Sequence, residues 1–327
     1  MNRIQVRKTL SDYYSTYFNV DELAKIIDFS NFPVREFGFV SLTRKFFRNI
    51  SFEDPRALQD FLIDRTPIHA YIGAVFNESP SRETPIHTLE WKGHELVFDI
   101  DLNEYDAVRK HVCDCQGADQ VCVRCWQLIN LAIFIIDETL RFDFGMENIF
   151  WVFSGRRGIH GWITDKIGFS LDQVQRKSVI DYLSILHGED EAARIQDRSK
   201  FPEDFRRRIE RTVFKYFLQN IRRKDLIELG FSSTIASNFM KQLELQNRQI
   251  DENLARSFNL RLAKINKYDE ILRRWVPRID HKVTIDLRRL IRLPYSIHGK
   301  TGFVARVIGS DEIFSFNPEN ESTIFKK

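Results

Sequence analysis

The sequence lacks any long uninterrupted run of apolar residues, although 43% of its 327 residues are hydrophobic. A membrane-spanning helix needs about 18 or more consecutive apolar residues, so none is predicted and no membrane partner is expected. Residues 1–7 also lack the apolar core of a secretory signal. We therefore expect an intracellular protein with enough apolar material for one large or two moderate domains.

A strong excess of either charge is also missing. The net charge is +3, which is too small to indicate nucleic-acid binding by itself, so any basic surface must be local. Local basic clusters occur at 206–211, 222–224 and 288–292. Acidic residues are interspersed around the first two clusters, which is typical of solvated helix faces. The third cluster lies in an apolar stretch, which favours a specific role.

Cysteine is scarce, and its four occurrences fall within thirteen residues, at Cys113, Cys115, Cys122 and Cys125. Structural cysteines scattered through a core would not cluster in this way, and disulfides are rare in intracellular proteins. The Cys-x-x-Cys half has ordinary zinc-knuckle spacing, and the Cys-x-Cys half supplies two more thiolates. We predict a closed structural zinc site within 111–125. Two alternatives stay open, namely His111 in place of one cysteine and a loop without metal.

Two aspartates stand one residue apart at the end of an apolar run, Leu96-Val97-Phe98-Asp99-Ile100-Asp101. The run predicts a buried strand, and side chains alternate along a strand, so Asp99 and Asp101 share one face. Neighbouring carboxylates repel each other unless a cation lies between them, and oxygen ligands suit Mg²⁺ or Mn²⁺. Such a pair is typical of enzymes that transfer phosphoryl or nucleotidyl groups. The alternative is a pair of solvated carboxylates at a strand end.

A second motif connects two predicted strands, 149–153 and 159–163, through the turn Ser154-Gly155-Arg156-Arg157-Gly158. Glycines let backbone N–H groups approach an anion, and arginines bind phosphate oxygens with two hydrogen bonds. His160 alternates with Trp162 on the outgoing strand, so it can share a pocket with the arginines. Alone, the turn also fits a plain hairpin with exposed arginines. With the aspartate pair upstream, it favours a triphosphate site.

Composition divides the chain into two expected domains. Residues 171–275 are charged, poor in glycine and proline, and helical in period. We expect them to form a helical subdomain with long amphipathic patterns at 203–229 and 233–275. The remaining residues, 1–170 and 276–327, are expected to form the catalytic core, with the zinc motif inside it.

The segment 278–302 carries further candidate ligands, including Asp280, Asp286, Arg292 and His298. Metals commonly take a third protein carboxylate, and triphosphates need additional cations. This segment can supply both kinds of group.

Taken together, these motifs resemble the small, catalytic subunit of the archaeal and eukaryotic type of DNA primase. The matching pieces follow the family's order and cover roughly the first half and the C-terminal fifth of the chain, at 35–37, 95–109, 122–126, 154–160 and 285–302. The aspartate strand and the Tyr105-Asp106 region resemble the eukaryotic form. The segment 283–300 resembles the archaeal form, and the Cys-x-Cys spacing is atypical.

The resemblance implies a mixed α/β fold, with small central sheets flanked by helices, an embedded zinc motif and an inserted helical subdomain. It implies synthesis of short RNA primers from NTPs on single-stranded DNA for replication. Two catalytic Mg²⁺ or Mn²⁺ ions and a structural Zn²⁺ are implied as cofactors. The implied partners are a large regulatory subunit, forming a heterodimer, and beyond it a replicative polymerase. A eukaryotic source would place this activity in the nucleus, and an archaeal source in the cytoplasm or nucleoid.

The resemblance also implies roles for individual residues. Asp99 and Asp101 correspond to two of the family's metal-binding aspartates. The third precedes the turn histidine by eighteen residues, and 298 − 18 = 280 selects Asp280, with Asp286 as the rival. The implied nucleotide-binding residues are Arg48, Ser154, Arg156, Arg157, His160, Arg292 and His298.

Two other functions fit part of the pattern. A stand-alone primase-polymerase that extends primers in repair or lesion bypass would use the same site and differ in nucleotide preference and partner dependence. A non-catalytic, zinc-containing nucleic-acid-binding subunit would keep the cysteines but lack metal-dependent NTP binding. Three intact acidic positions and both phosphate motifs argue against this second alternative.

Overall fold

Two small β-sheets form the scaffold of the protein, whose computed structural model describes residues 2–115, 120–184, 202–264 and 267–325. Their strands are β1 (Arg35–Val40), β2 (Phe46–Ile50), β3 (His69–Phe76), β4 (Trp91–Gly93), β5 (Leu96–Asp101), β6 (Ile149–Phe153), β7 (Gly158–Ile163), β8 (Ile291–Arg292) and β9 (Val307–Ile308). The first sheet has the order β2-β1-β3-β4, with β8 paired to β3, and the second has the order β5-β7-β6-β9. Strand β1 is antiparallel to β2 and β3, and β6 is antiparallel to β7 and β9.

Helices flank these sheets and make up most of the rest of the described chain. They are α1 (Arg3–Thr16), α2 (Val20–Ala24), α3 (Pro55–Arg65), α4 (Asp106–Arg109), α5 (Val123–Phe144), α6 (Lys166–Ser170), α7 (Gln173–Leu183), α8 (Glu203–Asn220), α9 (Arg223–Glu228), α10 (Ser233–Leu245), α11 (Glu252–Lys264), α12 (Tyr268–Trp275) and α13 (His281–Ile285). In the described ranges, no helix is both long enough and apolar enough to cross a membrane. The predicted mixed α/β class with small sheets is confirmed.

The chain groups into two compact units. One contains Met1–Ile100, Leu140–Ile180 and Ile279–Lys327, and the other contains Asp101–Thr139 and Asp181–Arg278. The first unit holds both sheets, and the second holds the cysteine loop and helices α8 to α12. Compact units need not be functional modules, so the division into a catalytic core and a subdomain at 171–275 stays a prediction.

The core of the first unit is rich in aromatic side chains. Phe32, Phe37 and Phe39 are fully buried there, and they pack with leucines of α1 and α3 and with Ile72 of β3. Rings at this density stabilise the fold by burying large apolar areas in edge-to-face contacts, as between Phe37 and Phe52. This core supports β1 and β3, on which part of the candidate site is built.

The long helical pattern predicted at 203–229 is interrupted, so that part of the prediction is wrong. Helix α8 ends at Asn220, Ile221 and Arg222 are extended, and α9 follows. The backbone N–H of Arg222 donates to the Asp225 carboxylate at 2.7 Å, which caps the start of α9. The apolar period continues across the break because Ile221 is itself buried, so periodicity alone did not reveal it.

The predicted helical pattern at 233–275 is likewise divided, into α10, α11 and α12. After α10, Asn247 and Arg248 take positive φ angles of 47° and 56°, which ends the helix. The Asp251 carboxylate then accepts from the backbone N–H of Leu254 at 2.7 Å and caps α11. The sequence signals for these helix ends are short polar capping segments, which interrupt an otherwise continuous amphipathic pattern.

Candidate active site and zinc centre

Strand β5 presents the aspartate pair on its outer face. Phe98 and Ile100 are fully buried, whereas Asp99 and Asp101 between and after them are partly exposed. The two carboxylates therefore lie on the same face of the strand, as alternation predicts. The Asp101 carboxylate also accepts from the backbone N–H of Asn103 at 3.0 Å, which fixes the turn that follows the strand.

Asp280 is held next to Asp99 through the backbone. Its N–H donates to the Asp99 carbonyl oxygen at 2.9 Å, and its carboxylate caps α13 by accepting from Lys282 N–H at 3.0 Å. The hydroxyl of Thr284 donates to the Val97 carbonyl oxygen at 2.8 Å, so α13 stays beside β5. Of the two rival third aspartates, the structure brings Asp280 to Asp99 and leaves Asp286 beyond the end of α13.

The turn between β6 and β7 is closed by its own backbone. Ser154 N–H donates to the Gly158 carbonyl at 2.9 Å, and Gly158 N–H donates to the Ser154 hydroxyl at 3.2 Å. Gly155 has a φ of +82°, and a Cβ built there would lie 2.8 Å from the Cβ of His298. The Thr301 hydroxyl donates to the Gly155 carbonyl at 2.6 Å. The turn that carries Arg156 and Arg157 is thus packed against the turn that carries His298.

An arginine–histidine cluster lies between these turns and β3. The Arg292 guanidinium is 2.9 Å from Nδ1 of His69 and lies 5.5 Å above the Tyr71 ring. The rings of His69 and His298 meet edge to face with centroids 5.2 Å apart. The pairing of β3 with β8 sets Tyr71 opposite Arg292, which fixes the guanidinium over this face of the sheet. His160 lies beside Asp99, and Nε2 of His160 is 3.7 Å from Oδ1 of Asp99.

The histidines of this cluster are held neutral. Burial, followed by the positive charge of Arg292, lowers the pKa of His69 to about 4 and that of His298 to about 3. The same two causes lower the pKa of His160 to about 3. At neutral pH these rings can donate hydrogen bonds without adding charge, while Arg292 supplies the charge.

Sequence reasoning missed His69 and Tyr71, which the structure adds to the cluster. They alternate on β3 and therefore share one face of the strand. That alternation was the available signal, but nothing in the sequence pointed to β8 as the partner strand of β3. The structure gathers Asp99, Asp280, His160, Arg292 and His298 with the turn at 154–157.

Arg48 lies apart from this cluster, in a cavity of about 260 Å³ lined by Phe46, Arg48, Tyr71, Asp286, Arg288, Arg289 and Leu290. Its Nε and Nη2 donate to the fully buried Glu36 at 2.7 and 2.8 Å, and these bonds raise its pKa. Its Nη2 also donates to the Arg288 carbonyl oxygen at 3.0 Å. The guanidinium is therefore held in one orientation, and Tyr71 links the cavity to the arginine–histidine cluster.

The four cysteines bring their sulfur atoms within 4.8 Å of one another. Across the described ranges, no other group of three or more His, Cys, Asp or Glu residues brings its potential ligand atoms so close together. Cys113 and Cys125 are buried, and the Cys122 N–H donates to Sγ of Cys125 at 3.2 Å. Four thiolates at this spacing suit tetrahedral Zn²⁺, so this loop can hold a metal such as zinc.

An arginine and the thiols themselves set the electrostatics of the cysteine cluster. The Arg109 guanidinium lies 3.8 Å from Sγ of Cys125. A hydrogen bond from Cys125 is the main cause that lowers the pKa of Cys113 to about 5, whereas burial raises the pKa of Cys115 and the bond to Cys113 raises the pKa of Cys125. Nδ1 of His111 lies 3.1 Å from the Glu228 carboxylate. The geometry therefore favours the four cysteines over a set in which His111 replaces one of them.

A model of the DNA primase small subunit family matches residues 98–310 of the chain. That span includes both aspartates of β5, the cysteine loop, the turn at 154–157 and the segment with His298. The chain belongs to the DNA primase small subunit family. As a member of this family it is a nucleotidyltransferase, and the resemblance drawn from the motifs is confirmed.

Related DNA primase small subunits occur in eukaryotes and in archaea. The protein of Schizosaccharomyces pombe is 29% identical over 325 residues, which cover 90% of this chain and 70% of the relative. The protein of Drosophila melanogaster is 31% identical, and the alignment covers 90% of this chain and 73% of the relative. The DNA primase small subunit PriS of Thermococcus kodakarensis is 30% identical, and the alignment covers 92% of this chain and 86% of that relative. Similarity to both groups agrees with the mixed eukaryotic and archaeal character of the motifs.

A comparison with solved structures gives a more distant likeness. The polymerase domain from Mycobacterium tuberculosis ligase D in complex with DNA is 14% identical, with a TM-score of 0.45, and covers 97% of this chain and 85% of that chain.

Proposed function

We propose that the chain synthesises short RNA primers from NTPs on single-stranded DNA, as the catalytic subunit of a DNA primase. The observation that carries this proposal is the backbone hydrogen bond between Asp280 N–H and the Asp99 carbonyl, which holds the residue with a third carboxylate beside the strand of the aspartate pair. His160 and Arg292 lie beside this group, so metal-binding oxygen atoms and phosphate-binding nitrogen atoms converge. Family membership supports the same assignment.

Asp99, Asp101 and Asp280 would hold two divalent cations, Mg²⁺ or Mn²⁺. Their oxygen-only donor set and partial exposure fit such ions better than zinc. When bound, these ions supply activation of a 3′-hydroxyl and stabilisation of the pyrophosphate leaving group. Because the Asp280 carboxylate already caps α13, its orientation is set before any ion arrives.

The triphosphate would lie along the joint surface of the turn at 154–157 and the turn of His298, which pack against each other. Arg156, Arg157 and Arg292 bring positive charge, while neutral His160 and His298 donate hydrogen bonds. Ser154 fixes the turn through its bonds to Gly158. Loss of one such preorganised donor should cost about 10²–10³-fold in turnover.

The cavity of Arg48 would take the base and sugar of the same nucleotide. Phe46 and Tyr71 offer aromatic faces there, and their rings meet edge to face at 6.3 Å. The orientation of Arg48 is fixed by Glu36, so it can serve as a rigid hydrogen-bond donor at the cavity wall.

Further partners follow from the same proposal. The small net charge predicts weak binding of single-stranded DNA by the chain alone, so a large regulatory subunit would supply template grip and initiation in a heterodimer. A replicative polymerase would take over the primer. Zinc would be held by Cys113, Cys115, Cys122 and Cys125 and would stabilise the loop.

The test is primer synthesis on unprimed poly(dT) with labelled ATP and Mg²⁺ or Mn²⁺. The wild type is compared with the double variant Asp99→Ala/Asp101→Ala. Short RNA products from the wild type alone would support the proposal. Products from both proteins would refute the metal site. If the chain with its large subunit extends a primed template but never initiates on an unprimed one, it is an extending polymerase instead.

A further inference from the structure

Arg176 on α7 is a buried arginine that contacts both segments carrying the proposed metal-binding aspartates. Its side chain is 2% exposed. Its Nη2 donates to the His94 carbonyl at 2.5 Å, and its Nη1 donates to the carbonyls of Glu95 at 3.2 Å and Thr284 at 3.4 Å. One guanidinium therefore bridges the residues just before β5 and a residue of α13.

These two segments run side by side from the aspartates to the arginine. At one end Asp280 N–H bonds the Asp99 carbonyl, and in the middle the Thr284 hydroxyl bonds the Val97 carbonyl. Arg176 makes the third connection, at the end farthest from the carboxylates. Since a strand and a short helix are stiff over this length, a shift at the Arg176 end would be transmitted to the separation of Asp99 and Asp280.

The chemistry of this contact depends on the planar fork of arginine. The Nε of Arg176 donates to the Leu171 carbonyl at 2.9 Å, which orients the guanidinium from its own end of α7. The two Nη atoms then reach carbonyls on two different segments, which a single lysine ammonium cannot reproduce with the same geometry. Burial lowers the pKa of Arg176 to about 10, opposed by Glu95, so the group is still charged at neutral pH.

We propose that Arg176 is a positioning residue for the metal site, which fixes the distance between Asp99 and Asp280 by bridging the backbones that carry them. This inference rests on the proposed function, because it takes Asp99 and Asp280 as ligands of a divalent cation. It differs from a purely structural role in one respect. Substitution should weaken metal binding beyond any effect on folding.

Arg35 provides a matched control. It is also fully buried and bonds the same Glu95, through Nη1 and Nη2 at 2.8 Å each, with a further bond to the Gly73 carbonyl at 3.1 Å. Within the described part of the chain, the hydrogen bonds of Arg35 go to β3 and to Glu95, and none goes to the segment 280–286. An Arg35→Lys variant therefore perturbs the same buried charge cluster without loosening α13 from β5.

The experiment measures Mn²⁺ binding to the full chain from the electron paramagnetic resonance signal of free Mn²⁺. Arg176→Lys should raise the dissociation constant about 10-fold or more, in line with other residues that orient metal ligands. Thr284→Val, which removes the middle connection but keeps the shape of the side chain, should act in the same direction. Arg35→Lys should bind Mn²⁺ like the wild type, and Asp99→Asn should bind it least. In primer synthesis, the Mn²⁺ concentration for half-maximal rate should rise in parallel for Arg176→Lys.

The outcomes separate this inference from the proposed function. If Asp99→Asn binds Mn²⁺ like the wild type, the proposed metal site is wrong. If Asp99→Asn loses Mn²⁺ while Arg176→Lys keeps wild-type affinity, only the positioning role of Arg176 is refuted. Equal weakening in Arg176→Lys and Arg35→Lys would assign both arginines to stability alone. Should Arg176→Lys fail to fold, Arg176→Gln replaces it, and wild-type Mn²⁺ affinity in folded Arg176→Gln would overturn the inference.

Discussion

The backbone N–H of Asp280 donates to the carbonyl oxygen of Asp99 at 2.9 Å. This bond joins a residue near the C-terminal end of the chain to the middle of the strand that carries the aspartate pair. Asp286 follows the last turn of the same short helix and lines the cavity of Arg48 instead. Two aspartates six positions apart are thereby separated into different parts of the unit.

The two aspartates should therefore respond differently to the same substitution. Asp280→Asn should eliminate measurable primer synthesis, because an amide is a poor ligand for a divalent cation, while asparagine still caps α13 and preserves the melting temperature. Asp286→Asn should retain turnover, with any change confined to the KM for the nucleotide. Steady-state kinetics and thermal unfolding of both variants check this. Loss of kcat in Asp286→Asn with normal kcat in Asp280→Asn would reverse the assignment.

A side chain at Gly155 should be unfavourable both for the backbone and for its contact with His298. Gly145 serves as a control that has only the backbone effect. Gly155 and Gly145 both have positive φ, at +82° and +65°, but a Cβ would meet His298 at 2.8 Å only at Gly155, whereas nothing lies within 4 Å at Gly145. Each alanine variant should cost about 1–2 kcal/mol of unfolding free energy from backbone strain. Gly155→Ala should in addition raise the KM for ATP, because the turn must move away from His298. Equal KM values in the two variants would count against contact between this turn and the triphosphate.

The cysteine loop should depend on its thiolates and not on His111. Cys122→Ser should lower the zinc content from about one ion per chain and lower the melting temperature, because a four-thiolate site loses a ligand. His111→Gln should keep zinc, since Nδ1 of His111 lies against Glu228. Metal analysis of the purified proteins, with differential scanning calorimetry, provides the measurement. Retention of zinc in Cys122→Ser with loss in His111→Gln would select the other ligand set.

Buried His94 predicts a specific pH dependence of stability. Burial is the main cause that lowers its pKa to about 4, and its Nε2 has no hydrogen-bond partner in the described part of the chain. An unfolded histidine has a pKa of about 6.5, so the neutral ring contributes stability above that pH. That stability is lost as the pH falls towards 4, at up to about 1.4 kcal/mol per pH unit.

Denaturant unfolding between pH 7.5 and 4.5 measures this contribution. Removing the imidazole in His94→Asn should make the decline of unfolding free energy at acid pH less steep than in the wild type. His87→Asn, at an exposed histidine, should leave the wild-type slope unchanged. Parallel slopes for wild type and His94→Asn would show that His94 is accessible to protons in the folded state.

Local patterns in the sequence were sufficient to predict structural features that lie within one strand or one loop. The alternation of buried and polar positions predicted β5 and the shared face of Asp99 and Asp101, and cysteine spacing predicted a gathered cluster. Features that depend on pairing between distant segments were not predictable in this way. The partnership of β3 with β8 brings His69 to Arg292, and no periodicity in either strand encodes it.

The third aspartate illustrates the intermediate case. The choice of Asp280 over Asp286 came from the family's spacing. The structure places Asp280 beside Asp99 through the α13 cap and the backbone bond, and its role as a metal ligand stays a proposal. Arg176 gave no sequence signal, because an arginine in an amphipathic helix is ordinarily solvated. Only its five carbonyl acceptors, at Leu171, His94, Glu95, Thr284 and Gly168, distinguish it.

Glu95 stands between two buried guanidinium groups, since Arg35 bonds its carboxylate and Arg176 is stabilised by its charge. Substitutions in this trio are therefore unequal in their evolutionary consequences. Loss of either arginine leaves the carboxylate with one cation, whereas loss of the glutamate leaves two interior cations with no anion between them. We therefore expect a glutamine at position 95 of a relative only where at least one of the two arginines has also been replaced by an uncharged residue.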